Sequence, residues 1–253
     1  MSEEILINVT PVETRVALVE NGMLQEAYIE RTSRKGIVGN IYKGKVVRVL
    51  PGMEAAFVDI GLERAAFIHA SDVVSGQTSG DEPSDAPRTV PDIRTLLREG
   101  QSLVVQVTKD PIGTKGARLT TQLSIPSRYL VFMPGVCHVG ISQRIEDDNE
   151  RARLKSLIEE GAAEHDDVQG GYIIRTAAEA ASAEDLIADM TYLHRLSQSI
   201  QERIAKAPAP SVVYQDLPLF IRTIRDLIRP QTEKVRIDSR ESYQRVMEFV
   251  KEF

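Results

Sequence analysis

Residues 40–68 read NIYKGKVVRVLPGMEAAFVDIGLERAAFI, and they read as strands. From Tyr42 to Leu50 the residues, with valines at 46, 47 and 49, suit a pleated strand. Pro51-Gly52 supplies a turn, Ala55 to Ile60 forms a second run, and Ala65 to Ile68 a third after Gly61. Lys43, Lys45, Arg48 and Arg64 lie close in sequence to Phe57 and Phe67, each aromatic on a short predicted strand. Cationic side chains meet backbone phosphate and aromatic faces stack on unpaired bases, each stacked base contributing about 1–3 kcal/mol. Such a sheet suits single-stranded nucleic acid. Periodicity alone leaves the alternative open that both phenylalanines are core, where strand Phe usually sits.

Working outward, residues 42–73, YKGKVVRVLPGMEAAFVDIGLERAAFIHASDV, resemble the RNA-binding OB fold first described in a small-subunit ribosomal protein. That fold is a five-stranded barrel. The flanks are ILINVTPVETRVALVENG ahead, and TKGARLTT, YLVFMPG, GISQRIE and YIIRTAAE behind. Together these strings are similar to the amino-terminal half of the ribonuclease E/G endoribonucleases, closest to the ribonuclease G branch. A lone OB motif occurs in many unrelated proteins, whereas this ordered set is specific, and the resemblance runs from Ile5 to Phe253.

The expected fold class is therefore α+β: an OB-fold barrel and a small α/β sensor unit inserted into a discontinuous ribonuclease-H-like domain. The resemblance divides the chain into residues 1–38 (first part of that domain), 39–121 (barrel), 122–212 (5′-phosphate sensor unit) and 213–253 (second part).

The residues agree with that outline. Asn21-Gly22, between RVALVE and MLQEAYIE, is a two-residue hairpin signal, because both central positions need positive φ. Ser75 to Pro91 is rich in Ser, Gly, Pro and Asp and reads as a long loop within the barrel domain. A short helix over Asp92 to Arg98 and a strand over Leu103 to Thr108 follow. From Ser127 the composition shifts: RYLVFM reads as a strand, Asp148 as the cap of a helix to about Glu160, and Gly170-Gly171 as the entry to the strand YIIRT. A longer helix spans about Ala183 to Ala205, with Leu186, Met190, Leu193, Ile200 and Ile204 near one face. Ala207 to Pro210 reads as a linker. Beyond it come Val212 to Tyr214, a helix around Leu219 to Ile228, a strand Val235 to Ile237, and a last helix carrying Tyr243, Val246, Met247, Phe249 and Val250 in register. These last elements are expected to cover the amino-terminal sheet.

Composition narrows the function classes. The 253 residues carry a formal charge of -6, which argues against indiscriminate binding of polyanions. The charge is uneven, however. Arg31, Arg34, Lys35, Lys43, Lys45 and Arg48 follow one another without a carboxylate, whereas Glu146 to Asp167 is dominated by acids. Cys137 is the only cysteine, so one chain holds neither a disulfide framework nor a thiolate zinc site. His69, His138, His165 and His194 show no ligand spacing. There is no long apolar run and no signal-peptide pattern at the amino terminus, so the expectation is a cytoplasmic protein with no membrane partner.

The candidate sites follow. Gly113 and Gly116 bracket Lys115, which is either an ordinary solvated charge or, as the resemblance implies, part of the RNA-binding edge formed with Phe57, Phe67, Lys43 and Lys45. Arg175-Thr176 follows the apolar YII of a strand, placing a guanidinium fork beside a hydroxyl, a pair suited to a terminal phosphate. From the residues alone Arg175 could instead pair with Glu179. The resemblance implies that Arg175 and Thr176 sense a 5′-monophosphate on RNA, with Val131 and Arg144 as neighbouring pocket positions. At Gln143 the ribonuclease E branch more often has arginine.

No persuasive pair of catalytic carboxylates is found. Asp59 and Asp238 read as structural or capping residues, so no catalytic or metal-binding residue is expected in this chain. The resemblance implies a magnesium-dependent endoribonuclease with a structural zinc, active in rRNA processing and mRNA decay, whose catalytic aspartates and zinc link lie beyond Phe253. The chain reads as cut off there, its last helix carrying no stop signal. The parent is expected to be a homo-oligomer and the fragment, lacking that link, a monomer. The leading expectation is the RNA-recognition half of such an enzyme, itself non-catalytic, binding single-stranded RNA with a 5′-monophosphate. A complete non-catalytic RNA-binding adapter and a protein-interaction scaffold are the alternatives.

Overall fold

From the amino terminus, alternating apolar residues make three antiparallel strands, β1 (Glu3–Val9), β2 (Glu13–Glu20) and β3 (Met23–Arg31). The structure, a computed structural model, describes residues 2–73, 91–163, 170–229 and 231–252. The expected hairpin joins β2 to β3, with Asn21 at φ 49° and Gly22 at φ 79°. Next come β4 (Ile41–Leu50), β5 (Ala55–Asp59), β6 (Ala66–His69), the short helix α1 (Ile93–Leu96), β7 (Ser102–Lys109) and β8 (Arg118–Thr120). They are followed by β9 (Ile125–Pro126), β10 (Leu130–Pro134), β11 (Val139–Ile141), α2 (Asp148–Ala163), β12 (Gly170–Ile174) and α3 (Ala183–Lys206). The chain then forms β13 (Ser211–Tyr214), α4 (Leu219–Leu227), β14 (Thr232–Ile237) and α5 (Arg240–Glu252). Among the described residues no helix is long and apolar enough to cross a membrane.

The chain divides into two units, residues 1–36 with 217–253, and residues 37–216. In the first, the strand order is β14-β1-β2-β3, with β14 lying parallel to β1. Ile5, Ile7, Val16 and Leu18 point to one face and pack on Leu219, Phe220, Ile221 and Ile224 of α4 and Val246 of α5. The late elements thus cover the early sheet, as expected. The register of α5 is corrected: Val246 is buried and Phe249 partly buried, while Tyr243, Met247 and Val250 are exposed. One helical stripe meets the sheet and the next faces away.

The second unit contains a closed barrel of five strands, β4-β5-β6-β8-β7, closed by the pairing of β4 with β7. Its interior holds Tyr42, Val46, Val58, Ile68, Val105, Val107 and Leu119, with Ile93 and Leu97 over it. Residues 207–210, read as a linker, deliver β13 onto the other side of β4. Of the loop expected at Ser75 to Pro91, all but Pro91 lies outside the described residues.

The rest of this unit is a sheet of order β11-β12-β10-β9, backed by α2 and α3. Phe132 and Tyr172 meet at a tilt in its core, their ring centres 5.3 Å apart, and Leu186, Met190, Leu193 and Ile200 form the buried stripe of α3. The cap of α2 is corrected by one residue: Asp147, rather than Asp148, accepts from the Asn149 amide at 2.9 Å, so Asp148 is already helical.

Because α4 shares its core with β1, Ile5→Ala is expected to destabilise the first unit by about 2–5 kcal/mol. Hydrogen exchange should then quicken in β1, α4 and β14 together while the barrel amides stay protected. Exchange confined to β1 would show that the two terminal segments do not fold as one unit.

Candidate nucleic-acid interface

Along β4, Tyr42, Gly44 and Val46 face inward, so strict alternation would send Arg48 into the barrel. A bulge prevents this. The register passes from Val46↔Val58 to Arg48↔Phe57, leaving Val47 as the extra residue, and both Val47 and Arg48 emerge in solvent while Val49 turns in. Phe57 is opposite Phe67, and Phe67 is opposite Arg118. Arg48, Phe57, Phe67 and Arg118 therefore form one cross-strand row over β4, β5, β6 and β8.

The two rings meet edge to face at 6.2 Å, and Phe57 is 36% exposed, which excludes a fully core role for it. Arg118 donates from Nε (3.0 Å) to Asp72, whose carboxylate also lies 2.9 Å from Nη2, so its guanidinium is held beside Phe67. Arg118 is the residue that sequence reasoning missed. Its signal was present, an arginine between the buried Ala117 and Leu119, which alternation must turn outward.

Lys45 is exposed, its backbone opposite Asp59. Lys115 is exposed on a loop that leans on β6: the Phe67 amide donates to the Ala117 carbonyl at 2.8 Å, and Arg64 donates to the Gly113 carbonyl. A Cβ at Gly116 would stand 2.0 Å from the Ala65 carbonyl oxygen. That glycine is thus needed for the loop to reach β6. Lys43 departs from expectation. Its Nζ donates to the Ile204 carbonyl at 2.9 Å, satisfying the last turn of α3. The basic run is also divided, Arg31, Arg34 and Lys35 belonging to the first unit and the rest to the second.

The second group of residues gathers at one end of the sheet of β10, β11 and β12. β10 runs antiparallel to β12 and β11 parallel to it, so the start of β10 and the ends of β11 and β12 coincide. Val131 is the second residue of β10, Arg175 and Thr176 follow β12, and Arg144 lies on the turn after β11. This turn is braced by Arg151 of α2, whose Nη1 donates to the carbonyls of Ser142 (2.9 Å) and Ile145 (3.0 Å). Thr176 and Arg144 are exposed and Arg175 is half-buried.

Arg175 does not pair with Glu179. Its Nη1 donates to the carbonyls of Ser127 and, at 3.3 Å, of Arg128, and the Nε–Nη2 edge has no protein acceptor among the described residues. The segment that supplies those carbonyls is gripped from the other side by Asp189 of α3. One carboxylate oxygen accepts from the amides of Tyr129 and Leu130, both at 3.0 Å, and from the Ser127 hydroxyl. Burial pushes the Asp189 carboxyl up, against these bonds, which favour the anion. The turn carrying Thr176 is fixed by α2: Glu150 accepts from the Ala180 amide at 3.0 Å and from Arg153, which also donates to the Ala181 carbonyl at 3.0 Å.

Among the described residues no three His, Cys, Asp or Glu side chains lie together as metal ligands. The two aspartates considered above serve the backbone. Asp59 accepts from the Gly61 amide at 2.8 Å, and Asp238 from the Val9 amide at 2.8 Å and the Asn8 side chain, bonds that hold its carboxyl below the usual range. They do not fit magnesium.

Residues 35–119 match the S1 RNA binding domain, and residues 124–253 match the ribonuclease E/G family. The chain belongs to the ribonuclease E/G family. It is 54% identical to the ribonuclease G of Salmonella typhimurium (strain SL1344) over 255 aligned positions, covering 100% of this chain and 51% of that protein. To the ribonuclease G of Haemophilus influenzae it is 56% identical, covering 99% of this chain and 50% of the relative. The ribonuclease E of Haemophilus influenzae is 38% identical, with 98% of this chain and 26% of that protein covered. Identity thus favours the ribonuclease G branch. The chain spans about half the length of the ribonuclease G proteins it matches.

The bonds of Glu150 to Arg153 and Ala180 lower its carboxyl from 4.5 to about 2. Its folded-state pKa is depressed, so its stabilisation is present above the ordinary glutamate range and is lost as pH falls towards 2. Glu150→Gln should lower the melting temperature at neutral pH, and the gap from the parent protein should close over that acid window. A gap that is constant with pH would show that the ion pair does not anchor the Thr176 turn.

Proposed function

We propose that this chain is the RNA-recognition part of a single-strand-specific endoribonuclease acting in the cytoplasm on ribosomal and messenger RNA. The observation that carries the reading is the row Arg48, Phe57, Phe67, Arg118. Two aromatic faces flanked by cations offer stacking to unpaired bases and charge to the phosphates that join them. Lys45 and Lys115 add charge beside the row, whereas Lys43 serves the fold.

The end of the second sheet reads a 5′-monophosphate. With Nη1 of Arg175 committed to backbone carbonyls, its Nε–Nη2 edge is presented to a phosphate, and Thr176 and Arg144 add donors around it. Val131, on β10, limits the space. Arg175 has dipoles rather than a carboxylate for partners, so its charge is not neutralised before the phosphate arrives. Cleavage depends on a magnesium site, and the described residues hold no cluster of three His, Cys, Asp or Glu side chains to form one. On this reading the chain alone binds RNA without cutting it, and the active enzyme is a zinc-linked oligomer.

Fluorescence anisotropy with single-stranded oligoribonucleotides, at fixed ionic strength because phosphate contacts are salt-dependent, tests both parts. Phe57→Ala, shown folded by circular dichroism, should weaken binding by about 1–3 kcal/mol. Unchanged affinity would remove Phe57 from the interface. A 5′-monophosphate strand should bind about ten-fold tighter than its 5′-hydroxyl twin, and Arg175→Ala should erase that difference while sparing the 5′-hydroxyl strand. Equal binding of the two strands by the parent protein would refute phosphate sensing. Magnesium-dependent cleavage that copurifies with the chain and is abolished by one carboxylate substitution would refute its inactivity.

A further inference from the structure

We infer that Asp189, a buried carboxylate that touches no RNA, is a positioning residue for 5′-phosphate selection, acting through the backbone of Ser127 to Leu130 on the Arg175 guanidinium. The inference rests on the proposal that Arg175 reads the phosphate.

The segment is held by opposite charges on its two sides. Its amides at Tyr129 and Leu130 and the Ser127 hydroxyl donate to one oxygen of Asp189, while its carbonyls at Ser127 and Arg128 accept from Nη1 of Arg175. The backbone amide of Arg175 also donates to the Tyr129 carbonyl at 2.8 Å, tying the end of β12 to the same residues. Where the carbonyls of Ser127 and Arg128 stand decides where Nη1 stands, and the planar fork then has one orientation left for its outward edge. Those carbonyls are themselves placed by the amides and hydroxyl that Asp189 grips. The chain of causes runs from the Asp189 carboxylate, through peptide groups, to the guanidinium.

The arrangement also explains why the carboxylate is on α3 and not beside the arginine. A carboxylate in direct contact with Arg175 would occupy the fork that a phosphate needs. With a peptide segment between them, the anion orders the backbone dipoles towards Arg175 while the fork stays open. Burial makes the arrangement sensitive, because 9% exposure leaves little water to replace a lost acceptor. Asp189→Asn keeps the size of the side chain and removes the charge. The amides of Tyr129 and Leu130 then hold a weaker neutral acceptor, and the segment is free to shift.

The test compares 5′-monophosphate and 5′-hydroxyl oligoribonucleotides of one sequence, by anisotropy, on the full chain and four variants. Arg175→Ala reports on the underlying proposal. Asp189→Asn and Ser127→Ala report on the inference, and Leu193→Ala, a core change on the same helix, controls for lost stability. Asp189→Asn is expected to lose most of the ~10-fold preference and leave 5′-hydroxyl binding unchanged, with Ser127→Ala losing part of it. Leu193→Ala should lower the melting temperature yet keep the preference. If the parent protein shows no preference, phosphate sensing fails and this inference with it. If the preference is present and Arg175→Ala abolishes it, but Asp189→Asn and Ser127→Ala retain it in full, the inference alone is overturned. It is equally overturned if Leu193→Ala loses the preference too, since general loosening would then be the cause. Should Asp189→Asn fail to fold, Ser127→Ala decides by the same comparison.

Discussion

Pairing of β4 with β7 closes the barrel, and the outer surface of the barrel follows from that closure. A closed sheet has no free edge, and its interior has room for alternate side chains only. Val46, Val58, Ile68, Val105, Val107 and Leu119 take that room. Their neighbours on β5, β6 and β8, including Phe57, Phe67 and Arg118, are then forced outward whatever their own hydrophobicity. Two phenylalanines that would be core in an open sandwich become a surface row. The bulge after Val46 completes it by turning Arg48 to the same side.

The end of the second sheet that carries Arg175 relies on another device, in which charges are balanced through hydrogen-bonded backbone. Arg175 is satisfied by carbonyls and Asp189 by amides and a hydroxyl, so neither neutralises the other directly. A buried carboxylate left without such donors would cost several kcal/mol and would protonate instead. The segment between them is fixed on both sides, while Glu150, Arg151 and Arg153 of α2 fix the turns that carry Thr176 and Arg144. Rigid support behind exposed donors limits the ordering entropy that binding at this end would cost.

The first unit uses both ends of the chain. β1, β2 and β3 have one apolar face and no cover of their own, and the residues that fill it, Leu219 to Ile224 and Val246, lie some two hundred positions later. Residues 37–216 interrupt this unit in sequence without contributing to its core cluster. The parallel addition of β14 to β1 places Asp238 against the amide of Val9, so an aspartate near the end of the chain is consumed in joining the two segments.

Much of this was legible in the residues. Local steric preference fixed the hairpin at Asn21-Gly22, the turn at Pro51 and the strands of the barrel. Helical periodicity marked the buried stripe of α3. The quoted strings, with their order, were enough to indicate the family, and the side-chain chemistry of Phe57, Phe67, Arg175 and Thr176 was visible before any contact was known. What the chain could not show locally was pairing. The bulge that turns Arg48 outward, the register that sets Phe67 opposite Arg118, and the diversion of Lys43 to the Ile204 carbonyl each depend on a partner strand or helix distant in sequence. Asp189 gave no signal at all, because on an amphipathic helix an aspartate reads as solvated. Its meaning comes from the amides it meets some sixty residues away, and only the tertiary structure brings those together.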